Sequence, residues 1–253
     1  MVHSTDTPMS SESTSYRKKK EQSNISDNYS APSHRLLTKV CKMKWFQKFA
    51  DSLMQHLGDA TREIIAQGWE NVPSGSGKRA KEERTEWIRS ALERLDASCD
   101  EKTRNQIMVD TCPHSYPKTR INKMRAEFER LGNLDELLKI MWEDTSWGGG
   151  SFYDYPVRKG DMINITKVPY NPKAYKSAIT DEEKRLAYCH CGLVKRSKEK
   201  ISPTFCCCSG GWVKQLWEGI FQQSVEVAMT ESLLKGDTRC THSVRIPADF
   251  LKI

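Results

Sequence analysis

Large apolar residues return every three or four positions in WFQKFADSLMQHL, where Trp45, Phe46, Phe49, Leu53 and Leu57 fall on one helical face. GDATREIIAQGW restarts a helix after Gly58, with Asp59 as the expected cap. ENVPSGSGKR then breaks the pattern with Pro and Gly. The same period resumes in EERTEWIRSALERL, in DEKTRNQIMVDTC with Asp100 as cap, in KTRINKMRAEFERL and in NLDELLKIMW. Helices are therefore expected from about Leu37 to Met141. SGSGKR is a loop and no phosphate-binding loop: Val72 stands where that motif needs glycine, and Arg79 where it needs a hydroxyl after Lys78.

Beyond Met141 the period shortens. SWGGGSFYDYPVRKGDMINITKVPY mixes glycine, aromatics and β-branched runs, as a loop leading into a hairpin does. Gly148 to Gly150, beside Trp147, Phe152, Tyr153 and Tyr155, read either as a mobile cover over a pocket or as an ordinary connection. SGGWVKQLWEGIF reads as a helix with Trp212, Leu216, Ile220 and Phe221 on its apolar face. QSVEVAMTES alternates as a strand, LLKGD turns, and TRCTHSVRIP returns as a second strand. No repeat of fixed period is present. The expected class is α+β: a helical N-terminal half followed by a small antiparallel sheet with a packed helix. The division that follows is a disordered tail over 1–35, a helical region over 36–145 and a cysteine-rich α+β region over 146–253.

The 253 residues are 37% hydrophobic and 29% charged, enough for a core, and no stretch approaches the ~20 apolar residues of a membrane helix. MVHSTDTPMSSESTSY lacks the apolar segment of a secretory signal, so a cytoplasmic, reducing setting is expected. The net charge of +7 is interleaved with acid, as in KRAKEERTEWIR, which describes solvated helix faces. A nucleic-acid partner would rest on charge and thiols alone and is set aside. RKKK at Arg17 to Lys20 reads as a solubilising patch. A homodimer is left open.

The setting bears on the nine cysteines, an odd number. In a reducing compartment clustered thiols point to a metal or to catalysis rather than to disulfides. YCHCG holds Cys189 and Cys191; TFCCCSGGW holds Cys206, Cys207 and Cys208. If AYCHC and TFCCC are strands, Cys189 shares a face with Cys191 and Cys206 with Cys208, while His190 and Cys207 face away. Pairing the two would gather four thiols, the soft tetrahedral set that Zn²⁺ takes. Lys195, Arg196, Lys198 and Lys200 in the connection would offset the thiolate charge. Buried inert thiols are the competing reading. Cys240, after the turn in KGDTRC, is a fifth candidate ligand.

The run YCHCG…ISPTFCCCSGGWVKQLWEGIF…VEVAMTESLLKGDTRCTHSVRIP, Tyr188 to Pro247, resembles an uncharacterised bacterial family. That family is related to L-2-amino-thiazoline-4-carboxylic acid hydrolases, within the 4-vinyl reductase-like domain group. The resemblance reaches weakly upstream to DEKTRNQIMVDTC, where the second cysteine of the family's segment is replaced in CPHSY. It implies a 4-vinyl reductase-like fold and hydrolysis of a small cyclic amidine. The group also includes phenol-sensing domains with structural zinc; their first and last zinc thiols fall on Cys206 and Cys240, and their other two ligands on Met229 and Ser232. Cys189, Cys191 and Cys208 are the substitutes at hand.

Two functions follow. One is a zinc-dependent hydrolase whose substrate is a small molecule, with His190, Glu218, Glu231 and Asp237 as candidate proton carriers. The other is a non-catalytic domain, stabilised by a closed thiolate zinc site and holding a hydrophobic or aromatic ligand among the seven Trp and eight Tyr.

Overall fold

The computed structural model describes residues 34–144, 152–197 and 200–251. Residues 1–33 of the tail, including RKKK, lie outside the described residues, as do Trp147, the glycine run Gly148 to Gly150, Lys198 and the side chain of Arg196.

The helical half is present. α1 (His34–Leu57) and α2 (Asp59–Ile65) are followed by α3 (Lys78–Ser98), α4 (Glu101–Asp110), α5 (Lys118–Leu131) and α6 (Leu134–Glu143). Asp100 caps α4 as its sequence predicts, its carboxylate accepting from Thr103 N, and Asn133 caps α6 in the same way. Asp59 is no cap: Gly58 holds that position with φ 80°, and Asp59 is the first helical residue. The SGSGKR loop ends at Gly77, and Lys78 and Arg79 already belong to α3.

The second half begins with the hairpin β1 (Val157–Lys159) and β2 (Met162–Thr166). α7 (Pro172–Ser177), α8 (Asp181–Tyr188) and α9 (Gly192–Arg196) lead to a 3₁₀ segment (Pro203–Ser209) and α10 (Gly210–Phe221). β3 (Val227–Glu231) and β4 (Thr241–Arg245) close the sheet, which is antiparallel with the order β1-β2-β4-β3. Register places Ile163 opposite Val244 and Ile165 opposite His242, while Val227 and Met229 face the same two residues from the other side. Those positions form one face, and α10 packs its apolar stripe over it with Leu216, Trp217, Ile220 and Phe221 buried. Each such side chain contributes roughly 1.5–3 kcal/mol by leaving water. The opposite face carries Thr166, Thr241, Ser243 and Asn164, joined across the strands by hydroxyl and amide hydrogen bonds.

Two clusters of buried side chains result. One joins α5, α6, α10 and the sheet; the other joins α1, α3 and α4 to Val194, Ile201, Phe205, Cys207 and Met229. Asn105 of α4 donates to Val227 O (2.5 Å) and accepts from Met229 N (3.4 Å), so α4 covers the β3 edge. No helix among the described residues is long and apolar enough to cross a membrane.

The cysteine segments depart from their expected conformation. TFCCC is 3₁₀ helix rather than strand, opened by Pro203 and by the Ser202 hydroxyl, which accepts from Thr204 N. With three residues per turn, Cys206 shares its face with Ser209 and not with Cys208. AYCHC is helical through Tyr188; Cys189 and Cys191 are extended but pair with no strand.

Candidate functional site

Lys167 follows the last residue of β2 and is held at both backbone ends. Its N–H donates to Cys240 O (2.8 Å), and its carbonyl accepts from the Tyr188 hydroxyl (2.5 Å), which itself accepts from Cys240 N (3.0 Å). The next turn of chain pairs with the end of α8: Tyr170 N donates to Tyr188 O and Asn171 N to Ala187 O. These bonds bring the β2 exit, the start of β4 and the Cys189–Cys191 stretch together.

From there the Lys167 side chain crosses to Ser209, donating from Nζ to Oγ at 2.7 Å. Ser209 ends the 3₁₀ segment and is the residue before α10. Its hydroxyl donates to Cys206 O (2.8 Å), and its Oγ lies 2.9 Å from His242 Nε2. His242 sits on the core face of β4 and is fully buried. Its Nδ1 has no hydrogen-bond partner and abuts Gly210, so Nε2 is its one working nitrogen. Tyr153 completes the group, donating to Ser209 O (3.3 Å) with its ring stacked on Trp212 at 5.3 Å.

Thiols wall this cluster. Charges on Cys206, Cys208 and Cys240 would be felt at Lys167, on Cys189, Cys191 and Cys240 at Cys206, and on Cys112 at Cys208. Burial pushes the Cys206 thiol far up despite the Lys167 ammonium, raises Cys208 well above its ordinary value, and raises Cys189 to about 11. Burial thus keeps Cys206, Cys208 and Cys189 protonated around neutral pH. Burial opposes the charge of Lys167, and the Tyr153 phenol and the surrounding thiols would favour it only where they are themselves ionised. Burial, reinforced by Lys167, holds His242 well below its ordinary pKa, so the ring is neutral. Lys167, Ser209, Cys206 and Cys208 are half-buried and Cys191 is exposed, which leaves the cluster open to solvent on one side.

The sequence-derived ligands Cys189, Cys191, Cys206, Cys208 and Cys240 thus lie within electrostatic reach of Lys167 or of one another. Thiols are the right chemistry for a soft cation. The arrangement does not fit one: among the described residues no three His, Cys, Asp or Glu side chains are placed to hold a metal ion. Cys207 turns away and is buried in the helical cluster. Of the loop cations expected beside the thiols, Lys195 lies instead over the Tyr170 ring at 3.5 Å, and Lys200 is exposed.

The four candidate proton carriers separate. His190 lies beside the thiols, its ring between Phe152 (5.0 Å) and Tyr170 (5.6 Å). Its Nε2 is 2.8 Å from Val168 O; a carbonyl only accepts, so Nε2 carries the hydrogen and Nδ1 the lone pair. Burial lowers its pKa. Glu218 is near the far end of α10 and accepts from Ser224 Oγ and Val225 N. Glu231 accepts from Arg239 Nε (2.8 Å) and Thr241 Oγ1 (2.6 Å), and Asp237 closes its turn by accepting from Ser232 N (2.7 Å). Lys167, Tyr153, Ser209 and His242 carry no sequence motif. The available signals were the alternation in TRCTHSVRIP, which sets His242 and Val244 on one face, and the serine preceding the α10 helix.

No protein-family model, curated protein or solved structure matches this chain.

Proposed function

We propose that the protein is a small-molecule hydrolase acting on a C–N bond of a cyclic amidine or related heterocycle. Its reaction centre in this reading is Ser209, where β2 and β4 meet the start of α10. One observation carries it: a half-buried serine hydroxyl held between a neutral imidazole at 2.9 Å and an ammonium at 2.7 Å. Addition of oxygen to a C=N carbon needs an acceptor for the hydroxyl proton and a donor for the nitrogen that gains the electron pair. At rest the Ser209 hydroxyl donates to Cys206 O (2.8 Å); turned instead to His242 Nε2, with the ring hydrogen on Nδ1, it gives up its proton to the ring as Ser209 Oγ forms the C–O bond, and the C=N π pair moves onto nitrogen, held by Lys167. The C–N bond then breaks as the departing nitrogen takes the proton from His242, leaving an imidate ester on Ser209 that water hydrolyses. Burial disfavours the charged ring, so His242 passes the proton on readily. The 4-vinyl reductase-like fold belongs to the same reading, supported by the helix, strand, turn and Cys240 order of α10 to β4.

The test is turnover of a panel of 2-aminothiazolines and related cyclic amidines, followed as a mass gain of one water. Wild type is expected to open at least one ring, and Ser209→Ala to lose about a hundredfold or more in kcat. Unaltered turnover in Ser209→Ala would sink the assignment, and no turnover across the panel would sink the substrate class.

The alternative, a zinc-stabilised domain holding an aromatic ligand, is favoured by the aromatic group beside the thiols, in which Tyr153 stacks on Trp212 and Tyr116 is tilted against it. Since no three donors converge among the described residues, no step is routed through zinc. Stoichiometric thiol-bound zinc in the purified protein would mean that Cys189, Cys191, Cys206, Cys208 and Cys240 regroup around it, and would favour this alternative.

A further inference from the structure

A hydroxyl has one hydrogen and two lone pairs to share, and Ser209 Oγ has three polar neighbours. Lys167 Nζ donates to it at 2.7 Å, and the Cys206 carbonyl, which can only accept, lies at 2.8 Å. The hydroxyl hydrogen therefore goes to Cys206 O, and one lone pair to Lys167. His242 Nε2, at 2.9 Å, then faces the second lone pair, where only an N–H makes a bond. The ring hydrogen belongs on Nε2 and the imidazole lone pair on Nδ1. The far side of the ring agrees: His242 is 0% exposed and its Nδ1 has no hydrogen-bond partner. A methyl group placed on Gly210 would meet Nδ1 at 3.4 Å, Val227 Cγ1 at 3.3 Å and Val109 Cγ2 at 3.1 Å, so Nδ1 is sealed beside apolar side chains.

We propose that Ser209 rests in a latent state: the Cys206 carbonyl holds its hydrogen, and His242, as the Nε2–H tautomer, presents no lone pair to take it. The armed state, with the hydroxyl turned to Nε2 and the ring hydrogen on Nδ1, keeps two of the three hydrogen bonds around Oγ. It takes the hydroxyl from Cys206 O and puts an N–H where no acceptor stands among the described residues. A primed nucleophile has a third group that orients its base; here the ring has none behind it. Arming falls to a ligand that displaces the hydroxyl from the Cys206 carbonyl, since Cys206 and Ser209 are half-buried and within its reach while Nδ1 is not. The inference rests on the proposed hydrolase reading only for what the armed serine attacks.

Long-range proton–nitrogen correlation NMR of the full chain, without added ligand, reads the tautomer directly. The His242 ring is assigned through its own backbone, so no variant has to fold. Hydrogen on Nε2 and a bare Nδ1 are expected; an Nδ1–H, or a mixture of both tautomers, overturns the proposal. Phenylmethanesulfonyl fluoride, a neutral serine reagent, is expected to modify Ser209 within about tenfold of its rate on N-acetylserinamide, because a base in place adds about a hundredfold or more. A faster rate overturns the proposal. Wild type that opens amidines while its resting ring carries Nδ1–H defeats this inference alone. An Nε2–H ring with no turnover across the amidine panel defeats the hydrolase reading and leaves the resting arrangement of Ser209 standing.

Discussion

Gly211 has no room for a methyl group. A Cβ there would lie 2.1 Å from Val109 O and 2.4 Å from Cys112 Cβ, because the first turn of α10 rests directly on the end of α4. Backbone cannot step aside as a side chain can. Gly219 is the softer case: its Cβ would meet only Ile121, at 2.2 Å from Cγ2, and that side chain can turn. Gly211→Ala should therefore push α10 off α4 and cost roughly 1–3 kcal/mol. Because Ser209 is fixed by the same turn, the variant should also lose activity at the residual folded fraction. Urea unfolding checks the first part; a midpoint equal to wild type would show that the two helices are not in this contact. The sequence hinted at this residue only as half of a Gly-Gly pair before a helix. The clash that makes it necessary comes from Val109 and Cys112, a hundred positions away along the chain.

At the scale of elements, the helices of the N-terminal half and α10 were legible because their signals are local, whereas the short helices α7, α8 and α9 were not read from the sequence. Asp100, Asn133 and Thr180 each cap the helix that follows them. Thr180 goes further: its hydroxyl accepts from Glu183 N, and the Glu183 carboxylate accepts from Thr180 N at 2.9 Å and Ile179 N at 2.8 Å. Thr180→Ala should cost about 1 kcal/mol. Since α8 sets the positions of Tyr188 and Cys189, the exposed Cys191 should at the same time react faster with a thiol reagent. An unchanged melting midpoint would show that α8 is held by packing alone. TFCCC misled for a physical reason. Cysteine is neutral between strand and helix, so three in a row carry no period, and Ser202 with Pro203 decides for a 3₁₀ turn. What joins the chain around Lys167 is its bonding to Cys240 and Tyr188 rather than a shared strand face. Lys167 itself was hidden: the pairing of Thr166 with Thr241 that brings it to this place is long-range.

The whole molecule is tied together at Asp110, where α1, α4 and α10 meet. Its carboxylate takes hydrogen bonds from Gln106 Nε2 (3.1 Å), Lys214 Nζ (3.0 Å) and His56 Nε2 (3.0 Å), with Glu218 behind Lys214 at 3.9 Å. Neither half of the sequence shows this junction, because Lys214 lies more than a hundred residues beyond Asp110. Asp110 is also the last residue of α4, where the helix dipole opposes a negative charge, so these partners must offset both dipole and burial. Burial alone would raise its pKa; the bonds from Gln106, His56 and Lys214 outweigh it and hold the carboxyl below its ordinary value. A carboxyl depressed in the folded state stabilises the fold above the unfolded pKa of about 3.9, and that contribution fades as pH falls through the folded value. Asp110→Asn should thus cost roughly 1–3 kcal/mol at pH 7, and the gap to wild type should narrow as pH drops from about 5 towards 3. Urea unfolding of both proteins across that range measures the gap. If it stays constant with pH, the charge of Asp110 is not what joins the three helices, and the junction stands on hydrogen-bond geometry that asparagine keeps.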